Sequence, residues 1–196
     1  TKKLKLSNDL AKNGENALDA GRVDEAVTNF RASLKENPRN TRASEGLSEA
    51  LTDQGTTLAG DTNNAAAIPV LEEAVKYDKT NAEAFAKLGA VYAAKGDFPA
   101  AITNYSQAIA LDKDLVGLNA PRGLAYLETG DVAKADAALT LATRGAVDTV
   151  DSRMLEGRIR LKQNRNNEAL AAFDKALQLD PQNASAAYYR GQAYSR

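Results

Sequence analysis

Apolar residues recur at helical spacing through residues 82–115. Phe85, Leu88, Gly89 and Tyr92 lie three, four and seven residues along one face of an amphipathic helix. Lys95-Gly96-Asp97 interrupts the pattern: Gly96 suits the left-handed residue that ends a helix, and Asp97 suits the N-cap of the next. Pro99 fits a first turn, whose amide hydrogens have no intrahelical partner. Ala101, Tyr105, Ala108 and Leu111 then mark the inward face of a second helix ending near Asp112-Lys113. The stretch therefore predicts a helical hairpin, which must stack on neighbours because alone it leaves an apolar side uncovered.

The same 34-residue spacing runs through most of the chain. Residues 1–6 form a basic lead-in that either frays or packs Leu4 and Leu6 on the first hairpin. Residues 7–40 carry Leu10, Gly14 and Ala17, a break at Gly21, and then Ala26, Phe30 and Ser33. Residues 41–81 carry Leu47 and Leu51, then Ala67, Leu71 and Ala74, but are seven residues too long. Seven residues are about two helical turns, so either each helix gains one turn or a loop runs from Gly55 to Asn63. Pro69 then falls near the first turn of the second helix or kinks it.

Residues 116–149 carry Gly123, Tyr126, Gly130-Asp131, Ala135, Leu139 and Ala142, with Asn119 where an aromatic is expected. Pro121 disfavours helix at Ala120, which predicts a late-starting, shortened helix and a notch beside it. Residues 150–183 carry Gly157, Ala169, Phe173 and Ala176. Here Arg153 and Arg160 replace apolar residues, so their charged heads must reach water or an acid. Residues 184–196 open a sixth unit with Ala187, Gly191 and Tyr194 but no second helix. They read as a cap or as the start of an array continuing past Arg196, and Tyr188, Tyr189 and Tyr194 favour the latter or contact with another copy.

This succession of aromatic, Leu-Gly, Tyr, Ala, aromatic and Ala closely resembles the tetratricopeptide repeat (TPR), over residues 7–196. The resemblance implies an all-α, right-handed solenoid of stacked antiparallel hairpins, with about five units plus a terminal helix. It implies recognition rather than catalysis, with the first helices lining a concave groove that holds a partner's peptide or helix. One subtype grips chaperone tails through a basic clamp. The matching positions here are Ala11, Glu15, Glu45 and Glu49, which argues against that subtype.

The groove stripe lies about a hundred degrees round from the packed one. In the first two units it carries Glu15, Asp19, Glu45, Glu49 and Asp53, an acidic end. The middle offers Glu83 and then alanines, Ala86 and Ala90 among them, followed by Leu124 and Leu127. The last units offer Met154, Arg158, Leu161, Lys162, Tyr188 and Gln192, apolar with basic edges. This gradient predicts a partner segment with an apolar centre and its basic part towards Glu45 and Glu49, anchored by Met154, Leu161 and Tyr188. The competing reading is that the charges are solvated faces and the apolar residues pack between repeats.

Composition narrows the chemistry. With neither cysteine nor histidine, disulfides, thiolate catalysis and the commonest general base and metal ligand are gone, and no cofactor is called for. Carboxylates such as Glu72-Glu73 and Asp112/Asp114 fall at helix surfaces and ends rather than in a desolvated pocket. A calcium site from Asp53, Asp61 and Asn63 is conceivable, but its spacing matches no known loop. A net charge of -1 and the absence of a basic, aromatic-laced stripe argue against nucleic acid. No apolar run of about 18 residues occurs, so no membrane insertion is predicted. The chain begins at Thr1 and shows no signal peptide, leaving cytoplasm and periplasm equally open. The reading is of a non-enzymatic interaction scaffold. The alternatives are a self-assembly module, with a homo-oligomer through the C-terminal helix, and a substrate-recruiting region of a larger protein.

Overall fold

The computed structural model describes residues 2–144 and 148–195, and all regular structure among the described residues is helical. Two compact units emerge, Thr1–Gly96 and Asp97–Arg196. The hairpin predicted over 82–115 contributes one helix to each. The first unit holds α1 (Lys2–Asp19), α2 (Val23–Glu36), α3 (Thr41–Gly60), α4 (Asn64–Tyr77) and α5 (Ala82–Lys95). The second holds α6 (Phe98–Leu111), a 3-10 turn (Val116–Leu118), α7 (Asn119–Glu128), α8 (Val132–Ala142), α9 (Val150–Lys162), α10 (Asn166–Leu179) and α11 (Ala184–Tyr194). Within each unit consecutive helices pack on one another. The first helices also form a row of their own, α1 against α3 against α5 in one unit and α7 against α9 against α11 in the other.

Glycines let these helices approach, because a bulky side chain from a neighbour occupies the space where a Cβ would be. A Cβ on Gly14 would lie 2.7 Å from the Phe30 ring, and one on Gly46 2.4 Å from the same ring. Leu71 fills the equivalent space at Gly55, Leu155 at Gly123 and Phe173 at Gly157. Each knob is thus the large member of an Ala-x3-large-x2-small pattern on a second helix, except Leu155, which comes from the next first helix. Asparagines fasten successive repeats within the first unit. Asn40 caps α3 by accepting from the Ala43 amide, and its Nδ2 donates to the buried Ser7 and Ser33 hydroxyls at 2.9 and 3.2 Å. Asn81 caps α5 in the same way and donates to Ser48 and Thr52 at 2.9 and 3.2 Å.

Several expectations change. Residues 2–6 are helix, the start of α1, and Leu4 and Leu6 stay exposed. The extra length of the second repeat, residues 41–81, goes into α3 alone, which has 20 residues against 14 in α4 and α5. Neither the loop nor the shared-turn reading holds, because Gly55 is a packing site for Leu71 inside a continuous helix. Pro69 stays inside α4. Leu111 is exposed rather than inward. The fourth first helix does start late and is short, 10 residues after the 3-10 turn, yet Ala120 is helical: Pro121 sits in the first turn, where its missing amide hydrogen is harmless. Buried Asn119 takes the aromatic's place, donating to the Val116 carbonyl at 2.9 Å and accepting from Arg122 at 2.7 Å. Arg153 does reach acids, Asp148 and Glu156, and Arg160 lies 3.7 Å from Glu168.

The turn after α3 carries a cost. Thr62 has φ +61°, in the left-handed region that Gly21, Gly96 and Gly130 occupy in the matching turns. A β-branched residue there is strained by about 1–2 kcal/mol, whereas glycine loses about 0.5–1 kcal/mol more on folding through its freer unfolded chain. Thr62→Gly is expected to raise stability by about 0.5–1 kcal/mol, read as a higher urea midpoint with an unchanged slope.

Candidate functional site

The first unit's row of first helices lines a concavity of about 610 Å³. Glu15 and Asp19 reach it from α1, Glu45, Glu49 and Asp53 from α3, Asp78 from the α4–α5 link and Glu83 from α5. Seven carboxylates thus face one cation on the lining, Arg42, whose guanidinium forks onto both Glu15 oxygens. The helical register explains the α3 set: Glu45, Glu49 and Asp53 follow one another at i, i+4 and i+8. Asn81, Thr52 and Gly46 are among its other lining residues.

This crowding shows in the titration of two groups. Desolvation, then repulsion from Asp53, Asp19, Glu83 and Glu15, holds the Glu49 carboxyl above its ordinary value. Desolvation and Glu83 raise Asp53, with Lys87 opposing. Both groups therefore keep protons in the folded chain at a pH where the unfolded chain has released them. Their contribution to stability is a penalty at neutral pH that is relieved as the pH falls through their raised folded values. Glu49→Gln is expected to stabilise the free chain at neutral pH by about 0.3 kcal/mol, since the group is largely solvated, and to flatten the rise on acidification. Thermal unfolding of both proteins at neutral and mildly acid pH checks this.

In the second unit two smaller concavities, of about 260 and 320 Å³, share Glu128, Arg158 and Tyr189. Arg158 donates to Glu128 at 2.6 Å and lies 4.7 Å from the centre of the Tyr189 ring, which in turn stacks on buried Phe173. Asp151 lines the larger of the two. Its carboxyl is raised by partial desolvation although its side chain still reaches solvent.

The structure sorts the predicted groove residues into two kinds. Glu45, Glu49 and Asp53 are exposed on the acidic concavity. Arg158 and Gln192 line the smaller concavity of the second unit. Leu124 and Met154 border the larger one, but Met154 is only 6% exposed. Leu161 borders the smaller concavity but, at 5% exposed, shares its core with Phe173, Ala176 and Ala186, and Leu127, at 4%, packs with Leu155 and Ile159. These three are packing residues, as is Ala11, because α1, α7 and α9 each pack against both the second helix that follows and the next first helix, which leaves only part of each open. Ala86 and Ala90 lie on α5 outside the concavity, where Glu83 stands instead. Tyr188 lines neither concavity; Tyr189 lines both. Asn63, weighed for calcium, caps α4 by accepting from the Ala66 amide. Of the lining residues not read from the sequence, Asp78 lies in the α4–α5 link, whereas Arg42 and Glu128 stand on helices already read, three residues before Glu45 and four after Leu124, and Tyr189 adjoins Tyr188; Glu83, which the sequence places on the stripe, does line the concavity.

Comparison with known proteins agrees with this architecture. A TPR repeat model matches residues 91–130 and 157–196, and a tetratricopeptide repeat model matches residues 12–60. The chain belongs to the tetratricopeptide repeat family. Among curated proteins none matches this TPR chain in sequence. Solved structures share the fold. A thermophilic TPR protein of Thermus thermophilus, TTC0263, is 24% identical with a TM-score of 0.58, covering 97% of this chain and 100% of its own. A tetratricopeptide repeat protein of Parabacteroides merdae is 16% identical with a TM-score of 0.69, over 97% of this chain and 73% of its own. YrrB, described as a TPR protein with an unusual peptide-binding site, is 16% identical with a TM-score of 0.68, over 91% and 88%. Repeats of this family generally mediate protein–protein interaction and are typically not catalytic. No helix among the described residues is long and apolar enough to cross a membrane.

Proposed function

We propose that this TPR chain is a non-catalytic binding module whose first unit holds a basic segment of a partner protein in its acidic concavity. The observation that carries the reading is the seven-to-one excess of carboxylates on the lining, with Glu49 and Asp53 held above their ordinary values. A lysine or arginine entering the concavity relieves that repulsion, so binding strengthens with rising pH as the two groups ionise. Glu15 is already answered by Arg42, Glu83 lies 3.8 Å from Lys87 and Asp78 accepts from Thr80, which leaves Asp19, Glu45, Glu49 and Asp53 to meet the ligand. Charge rather than buried apolar area then sets specificity and makes the interaction salt-dependent.

The test is calorimetric titration with an amphipathic Lys/Leu peptide and its Glu/Leu counterpart. The lysine peptide is expected to bind at least about tenfold more tightly, and the double charge reversal Glu49→Lys with Asp53→Lys to remove that preference while leaving the fold intact. Equal affinity for the two peptides, or an unaffected charge-reversed variant, overturns the reading.

A further inference from the structure

Cations answer several of the second unit's carboxylates. Arg158 holds Glu128 at 2.6 Å, Arg153 holds Asp148 and Glu156, Arg190 holds Asp174 and Lys134 holds Asp131. Asp151 is different. Among the described residues no hydrogen-bond donor or cation is paired with its carboxylate. It is exposed in the first turn of α9, where a negative charge suits the helix N-terminus, and that role asks only for solvent around it. Instead it lines the concavity of about 320 Å³ together with Leu124, Val150, Met154 and Tyr189. Desolvation, with no cation to oppose it, holds its carboxyl above the ordinary value. Glu128 and Arg158 line the same concavity and cancel each other, so one uncompensated negative charge remains among apolar side chains.

We infer that this concavity is a ligand site for an amine, whose ammonium group meets Asp151 and whose hydrocarbon body lies against Leu124, Val150 and Met154. Each part of the lining has its counterpart in such a ligand. An ammonium brings three donors and a positive charge, which is what an unpartnered carboxylate lacks. An anion would meet the Asp151 charge while the one guanidinium on the lining is already taken by Glu128. A neutral apolar molecule would desolvate the carboxylate further and give it no partner. The volume stands at the lower end of the about 300–1,000 Å³ typical of ligand pockets, which suits a molecule of one ring or a single side chain rather than a length of chain. A free amine and a lysine of a partner protein carry the same alkylammonium chemistry, and the test separates them. Asp151, Leu124, Val150 and Met154 all stand on α7 and α9. No residue of the first unit's acidic concavity takes part, so this inference and the basic-segment reading stand or fall independently.

Amide NMR of the whole chain, titrated with phenethylammonium and with its uncharged isostere phenethyl alcohol, tests it. The amine is expected to shift amides of α7 and α9 with a Kd on the order of 0.1–1 mM, and to bind at least about tenfold more tightly than the alcohol. Asp151→Asn is expected to bring the amine down to the alcohol's affinity. Asp136→Asn, which removes an exposed carboxylate of α8, is expected to leave both affinities unchanged. Lysine blocked at its α-amine and carboxyl is the third probe and identifies the source of the ammonium. Binding tighter than that of phenethylammonium assigns the site to a lysine of a partner protein and weaker binding assigns it to a free amine; either supports the site. Equal affinity for amine and alcohol overturns the inference. So does a preference for the amine that survives Asp151→Asn, or a set of shifts confined to the first unit.

Discussion

Phe30→Ala is expected to destabilise the first unit by about 3–5 kcal/mol. Phe30 is fully buried and fills two glycine sites at once, Gly14 on its own hairpin partner and Gly46 on the first helix of the next repeat. Truncation removes the transfer energy of the ring and leaves a void that neither glycine has a side chain to close. Collapse would require α1 and α3 to move towards α2 together, yet Asn40, Ser7 and Ser33 fix their spacing through hydrogen bonds of 2.7–3.2 Å. The cost therefore belongs at the upper end of the range for large-to-small substitutions. Urea unfolding followed by far-UV circular dichroism, with amide exchange to localise the loss within residues 2–96, measures it. A loss below about 1 kcal/mol would mean that the hairpins slide freely, and the account of glycine packing would be wrong.

That account also explains which parts of the fold were legible in the sequence. The hairpin period was, because aromatic and small residues recur at helical spacing and Asp97 and Gly96 punctuate them with a single meaning. Gly55 was not. A glycine in a helical pattern is either a break or a place where another helix comes close, and only the neighbour decides. Here Leu71 decides for packing, α3 runs on to Gly60, and the left-handed turn residue is Thr62, which no propensity would choose. The candidate site divides in the same way. Glu45, Glu49 and Asp53 share one helix, so their common face could be read at i, i+4 and i+8. Arg42's fork onto Glu15 and the approach of Glu83 and Asp78 depend on how hairpins stack, which a helical wheel does not contain.

Met154 is where that limit has the largest measurable consequence. Treated as a groove anchor, it invites Met154→Glu as a clean binding variant. The structure predicts instead that this substitution costs about 3–5 kcal/mol in the second unit, because an unpaired carboxylate would replace a thioether packed among Leu161, Phe173 and Ala186. The two arginines next to it along α9 are already engaged: Arg158 by Glu128 and the Tyr189 ring, and Arg153 by Asp148 and Glu156. The buried carboxyl would be driven above its unfolded value, so its penalty is full at neutral pH and shrinks as the pH falls and the group takes up a proton. Met154→Gln separates charge from shape. It is expected to cost only about 1–2 kcal/mol, without that pH dependence, since the amide is neutral and of similar length. Equal losses for the two variants at every pH would place the whole effect in packing, and a silent Met154→Glu would put Met154 back on an open surface.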